Sequence, residues 1–164
     1  MSAPSVSPAA DASMRRPTVS IVIPVHNKAS LTRQCVNTLL AEAAVGIERE
    51  IVGVDDGSID LTPDVLAAYG DRVRTVRHDQ ATGFAGACNA GAALASGEAI
   101  VFLNNDTMPQ PGWLEAMVAD LAEHPAAAAI GAKLLFPNRT IQHAGVVFGL
   151  DRYPNHIYAG FPAD

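Results

Sequence analysis

The apolar positions of this chain fall into short runs that alternate with stretches of helical spacing. Thr18–Val25 (TVSIVIPV) is β-branched almost throughout, the composition of a central strand buried on both faces. Pro24 is tolerable there because it falls at the strand's end, where no ladder N–H is required. Ser30 is placed to cap a helix over about 31–44 that carries Leu31, Cys35, Leu39 and Leu40 on one face. Residues 50–54 (EIVGV) predict a second strand. Thr62 and Pro63 open a helix reaching about Tyr69, and Gly70 ends it. The alternation in 72–78 (RVRTVRH) predicts a partly solvated strand nearer the sheet edge. A helix crowded with small residues begins near Gly83 and stops at Gly97. Ile100, Val101, Phe102 and Leu103 then form an apolar run of the kind a strand covered on both faces tolerates, and Pro109 and Pro111 prevent its continuation. Further on, Trp113, Met117 and Leu121 predict the core stripe of a helix ending near Glu123, and 127–136 and 141–150 predict two more strands. Strands alternating with helices predict an open α/β sheet.

In such a sheet ligands bind outside the carboxyl ends of the strands, and the polar clusters of this chain fall at those ends. His26, Asn27 and Lys28 follow the first strand, and Asp55-Asp56-Gly57-Ser58 ends the second. Gly83 to Gly91 (GFAGACNAG) supplies a helix amino terminus with free N–H groups, and Asn89 within it can reach the crevice. Asn104, Asn105 and Asp106 end the run at 100–103. A carboxylate flanked by amides offers hard oxygen ligands to a divalent cation and acceptors to a sugar hydroxyl. Each cluster also has a plainer reading: Asn and Asp favour turns, and a solvated D-G turn accounts for Asp55 and Asp56 taken alone. The first loop carries neither G-x-G-x-x-G nor G-K-[ST], which disfavours dinucleotide-binding dehydrogenases and removes P-loop enzymes. His143, between apolar neighbours, reads as a hydrogen-bonded structural histidine.

Composition narrows the class. The 164 residues fit one domain, and 49% hydrophobic against 17% charged residues is a globular balance. A formal net charge of −6 argues against a nucleic-acid surface, so an anionic substrate needs a metal or backbone amides. Cys35 and Cys88 belong to no paired motif and read as reduced core cysteines of a cytosolic protein. Residues 1–17 have Arg15 and Arg16 but no apolar segment before a cleavage site, and their Ser, Ala and Pro predict a flexible leader. No run approaches the ~20 residues needed to span a bilayer, and no repeat or Cys/His cluster appears.

Four blocks in order, V-S-I-V-I-P-V-H-N at 19–27, V-D-D-G-S at 54–58, G-F-A-G-A-C-N-A-G at 83–91 and F-L-N-N-D-T at 102–107, resemble the inverting family 2 glycosyltransferases. The resemblance covers about 18–149 and implies the GT-A fold: a Rossmann-like three-layer αβα sandwich with a mostly parallel central sheet. It implies that Pro24, Val25, His26 and Asn27 line the nucleotide base, and that Asp56, with Asp55 beside it, recognises a uracil-like base. It further implies that Gly83 and Asn89 close over the nucleotide. Asn105 and Asp106 match the acidic DXD-like site, with Asp106 the ligand of Mn²⁺ or Mg²⁺ and Asn105 near the ribose or donor sugar, and Asn104 precedes them in the nucleotide-sugar site. Many relatives carry acids at both of the last two positions; here Asp106 is alone, so affinity for the metal rests on it and the donor diphosphate.

The expected donor is a nucleoside-diphosphate sugar of UDP or dTDP type, and the acceptor a glycan, lipid-linked or protein hydroxyl. The expected site is cytoplasmic, at most peripheral to the inner face of a membrane. The family's general base lies in a later segment that these residues do not match, the D-R-Y-P context of Asp151 included. The expectation is therefore a donor-binding portion at 18–150, with 151–164 beginning an acceptor-side segment and catalysis incomplete in this chain alone. A catalytically silent nucleotide-binding module is the alternative. A sugar-phosphate nucleotidylyltransferase ranks below both, because His26-Asn27-Lys28 is not the Gly- and Arg/Lys-rich loop that holds a triphosphate.

Overall fold

The computed structural model of this chain describes residues 18–150 and 152–163; the expected leader and Asp151 lie outside them. The chain divides into two compact units, the first ending at Trp113 and the second beginning at Leu114.

The first unit is built on four parallel strands in the order β3-β2-β1-β4, with β1 at Thr18–Val25, β2 at Glu48–Asp56, β3 at Arg74–His78 and β4 at Ala99–Phe102. Helices α1 (Ala29–Ala41), α2 (Thr62–Ala67) and α3 (Phe84–Leu94) make the crossovers. Parallel neighbours cannot be joined by a hairpin, so each connection crosses a face of the sheet. The two faces are legible in the residues. Val22, Val52 and Val54 pack with Ala87 of α3 on one side. A Cβ at Gly53, pointing the other way, would meet Leu66 of α2 at 3.1 Å. This is the predicted three-layer arrangement, and β1 at its centre is buried from Val19 to Val25.

Close approach explains the small residues of α3. A Cβ on Gly91 would fall 2.2 Å from Cγ1 of Val22 and 3.0 Å from Cγ2 of Val54. The helix rests on the sheet through the space a side chain would fill.

Several expectations are corrected. Helix α1 begins at Ala29, ahead of Ser30; its N-cap is Lys28, and the carboxylate of Asp60 accepts the Ala29 N–H at 3.0 Å, doing the work assigned to Ser30. Its buried face is Thr32, Cys35, Val36 and Leu39, with Leu31 37% exposed, so the stripe is rotated by one position at its start. Strand β4 is not covered on both faces: Ile100 is 41% and Phe102 50% exposed. It is an edge strand of the four, so the apolar run marks its character and not its burial. Strand β3 is the opposite edge, as the alternation of 72–78 predicts.

In the second unit the helix α4 spans Trp113–Glu123, and of its apolar stripe only Leu114 is fully buried. The strands predicted over 127–136 and 141–150 are short pieces. Leu134–Leu135 (β5) pairs antiparallel with Ile141–His143 (β6), and Val146–Phe148 (β7) with Pro154–His156 (β8). Gly145, at φ +125°, lies between β6 and β7, which belong to different two-stranded sheets. His143 does make a structural hydrogen bond, to Nδ1 of His156 at 2.7 Å.

Candidate functional site

The carboxyl ends of β1, β2 and β4 bring three of the polar clusters to one end of the sheet. Between β1 and β4 the ladder stops early. Leu103 N–H donates to the Val22 carbonyl at 2.9 Å, and the next donor in register is Pro24, which has no N–H. The strands therefore part there, and β1 is also where the strand order reverses from β2 to β4, the position at which open α/β sheets bind ligands. Pro24 and Val25, both buried and in register with Val54 and Asp55, form the floor beside this gap.

The loop after β1 is held in an uncommon conformation. Asn27 and Lys28 both lie in the left-handed region, at φ 59° and 62°. Neighbouring loops impose it. Asn27 N–H donates to Ser58 Oγ at 2.7 Å, and its Oδ1 accepts the Ile59 N–H at 2.9 Å. Nδ2 of Asn105 donates to Thr32 Oγ1 at 2.9 Å and approaches the Asn27 carbonyl at 3.5 Å. Asn105 is thus buried and structural in its amide nitrogen, tying the end of β4 to α1. His26 is exposed; its Nδ1 lies 2.7 Å from the Asp56 carbonyl and must be the donor, which leaves Nε2 outside that bond.

The acidic pair ending β2 is buried and hydrogen-bonded. Asp55, 0% exposed, accepts the Ser58 N–H at 2.9 Å and is ion-paired through Oδ2 with Arg77. Asp56 receives more. Its Oδ1 accepts Thr82 N–H, Thr82 Oγ1–H and the His78 ring, each at 2.8 Å, and its Oδ2 accepts the Gly83 N–H at 2.8 Å. Burial opposes ionisation of Asp56, but the His78, Thr82 and Gly83 donors outweigh it and hold the carboxyl well below the usual range. Three of these four bonds converge on Oδ1 and one falls on Oδ2, and a carboxylate oxygen has two lone pairs, so Oδ2 keeps one. Gly57, at φ +68°, makes this packing possible, since a Cβ there would meet the backbone of Ala81 at 2.7 Å.

The end of β4 is the opposite case. Asn104 and Asp106 are exposed. The carboxylate of Asp106, 43% exposed, has one charged neighbour among the described residues, Nζ of Lys28 at 3.6 Å. Thr107 closes the turn on the Asn104 carbonyl through its N–H at 3.3 Å and its hydroxyl at 2.7 Å, so the main chain is fixed while the carboxylate is not. Cys35 lies beneath, 3.7 Å from the same carbonyl; burial pushes its thiol up to about 11, and it stays protonated at neutral pH. Both cysteines are free and buried.

A divalent cation fits this donor set in part. Asp106 offers one exposed carboxylate and Asn104 one exposed amide, and no group of three or more His, Cys, Asp or Glu comes together among the described residues. Phosphate oxygens and water would have to complete the shell, a common mode for Mg²⁺. Gly83, exposed at φ +83°, is the N-cap of α3, while Asn89 lies exposed on that helix and bonds to none of the other candidates. Sequence reasoning passed over Lys28, Arg77, His78 and Thr82. The strand register carried the signal for two of them: Arg77 stands beside Asp55 and His78 beside Asp56.

A family model described as Glycosyl transferase family 2 matches residues 20–141. The O-antigen biosynthesis protein RfbC of Myxococcus xanthus is 34% identical over 148 residues, which is 89% of this chain and 12% of that protein. Among solved structures, S. aureus TarS 1-349 in complex with UDP-GlcNAc aligns with a TM-score of 0.59 at 23% identity, covering 66% of this chain and 32% of that one. The mannosyltransferase PcManGT from Pyrobaculum calidifontis, in complex with GDP-Man and Mn²⁺, aligns at 0.62 with 24% identity, covering 76% and 37%. These structures carry the GT-A fold described above. The chain spans well under half the length of each of these proteins.

Proposed function

Because the chain belongs to glycosyl transferase family 2, we propose that the ends of β1, β2 and β4 bind a nucleoside-diphosphate sugar for transfer of its sugar, with inversion, to an acceptor hydroxyl. The observation that carries this is the asymmetry of the acids. Asp55 and Asp56 are locked into the scaffold, while Asp106 is exposed at the β1/β4 gap with a displaceable amine as its one charged neighbour among the described residues. A carboxylate kept out of the structural network at the ligand end of an α/β sheet is placed to serve a ligand.

The nucleotide base lies against Pro24, Val25, His26 and Asn27, with its imino N–H directed at the remaining lone pair on Oδ2 of Asp56 and Gly83 bordering it. His26 Nε2 is an acceptor for a ribose hydroxyl. Asn104 faces the ribose or donor sugar, and Asn105 sets the position of that turn through Thr32. Asp106 holds Mn²⁺ or Mg²⁺, whose chemistry is to offset the charge gathering on the leaving diphosphate. In the displacement, the acceptor oxygen bonds to the anomeric carbon as its bond to the diphosphate oxygen breaks, and a general base takes the acceptor proton. We assign that base to no residue of this chain. The complexes of TarS with UDP-GlcNAc and of PcManGT with GDP-Man and Mn²⁺ support the ligand class and the use of a metal. The protonated, buried cysteines favour a cytoplasmic setting, and no helix among the described residues is long and apolar enough to cross a membrane.

Thermal unfolding with UDP or dTDP, with and without Mn²⁺, tests the proposal. The midpoint rises with nucleotide and rises further with metal, and Asp106→Ala loses the metal-dependent part. No shift with either nucleotide would remove the donor-site assignment.

A further inference from the structure

We infer that Lys28 is a diphosphate ligand held in reserve on Asp106, an inference that rests on the donor-site reading above. The amine and carboxylate are 3.6 Å apart, with side chains 59% and 43% exposed. Exposed pairs at such separations are weak and readily exchanged. What is unusual is the effort spent on the backbone behind the amine. A lysine in the left-handed region, directly after an asparagine in the same region, is strained, and such strain persists only where the surroundings over-determine it.

The surroundings do so from three sides. Leu31 and Thr32 N–H groups donate to the Lys28 carbonyl at 3.0 and 3.1 Å, and the Ala29 N–H is held by Asp60. On the preceding residue, Asn27, the bonds with Ser58 and Ile59 anchor the loop to the chain after β2, and Asn105 anchors it to the end of β4. The effect is to hold the Lys28 ammonium on the β4 side of the gap, against Asp106.

Charge supplies the reason. The chain carries a net −6, and Arg77, also at these strand ends, is paired with Asp55. A diphosphate arriving with a divalent cation brings positive charge for Asp106 and negative charge for Lys28. The carboxylate then exchanges the amine for the metal, and the amine exchanges the carboxylate for a phosphate oxygen. Lys28 therefore opposes the binding of a metal ion alone and favours the metal with the diphosphate, so that the two enter together.

The two effects have opposite signs, which makes them separable. Isothermal titration calorimetry on the 164-residue chain, as wild type, Lys28→Met and Lys28→Arg, would use Mn²⁺ alone, UDP and dTDP with Mn²⁺, and uridine. Lys28→Met is expected to bind the diphosphates roughly tenfold more weakly, to bind Mn²⁺ alone at least as tightly, and to leave uridine unchanged. Lys28→Arg is expected to keep most of the diphosphate affinity. Diphosphate affinity within twofold of wild type in Lys28→Met, or a gain for Mn²⁺ and diphosphate together, overturns the inference while leaving the donor site standing. Absence of diphosphate binding to the wild type would overturn both.

Discussion

Asp56 at the end of β2 and Asp106 at the end of β4 are the same residue type at the same topological level, and the structure treats them in opposite ways. Asp56 is 4% exposed and accepts four hydrogen bonds, one from His78 at the end of β3 and three from Thr82 and Gly83 in the loop before α3. Asp106 is 43% exposed, and Lys28 is its one charged neighbour among the described residues. The first carboxylate shapes the loops around the ligand end of the sheet; the second is left to exchange partners. A strand-end acid is therefore not a site by position alone, and what distinguishes the two is where their hydrogen-bond donors come from.

The comparison breaks most visibly at Asp56. Asp56→Ala leaves the Thr82 and Gly83 amides and the His78 ring without their acceptor, and is expected to destabilise the fold by about 3–5 kcal/mol in equilibrium denaturant unfolding. The same carboxyl sets a pH dependence. Its folded-state pKa is depressed, so the stability it contributes is present above the ordinary carboxyl range and is lost as pH falls below about 4. Asp56→Asn should be less stable at neutral pH and flatter in stability below pH about 4, seen in unfolding midpoints taken across that range.

Asn105→Ala comes next. It removes the Nδ2 bond to Thr32 and is expected to cost about 1 kcal/mol by the same denaturant measurement. The smallest stability effect belongs to Asp106→Ala, expected within about 0.5 kcal/mol of wild type, as for an exposed charge outside any network. A large loss at Asp106, or a small one at Asp56, would erase the distinction between them.

Much of this was open to sequence reasoning. Strand β1 falls at Thr18–Val25 as its β-branched run predicts, and β3 is an edge strand as the alternation of RVRTVRH predicts. The polar clusters after β1, β2 and β4 are strand ends, because Gly and Pro punctuate the chain where the apolar runs stop. The difference between the acids was hidden, since the donors that enclose Asp56 lie 22 to 27 residues away and become its neighbours only through the β2–β3 register. The Lys28–Asp106 pair spans an even longer separation, across the β1–β4 gap. The apolar run of β4 predicted burial on both faces, but period and hydrophobicity do not say how many neighbours a strand will have. The apolar stretches after α4 predicted two long strands; Gly145 divides the second into β6 and β7, and the pieces pair locally.

On the proposed reading, Asp106 is the carboxylate through which metal and diphosphate meet. Electron paramagnetic resonance of Mn²⁺ titrated into the wild-type chain and Asp106→Asn, each with UDP, tests it directly. The free-ion signal is expected to fall on binding to the wild type with UDP present and to return nearly to the level of free Mn²⁺–UDP in Asp106→Asn, with the unfolding midpoint unchanged. Equal immobilisation of the ion by both proteins would contradict it.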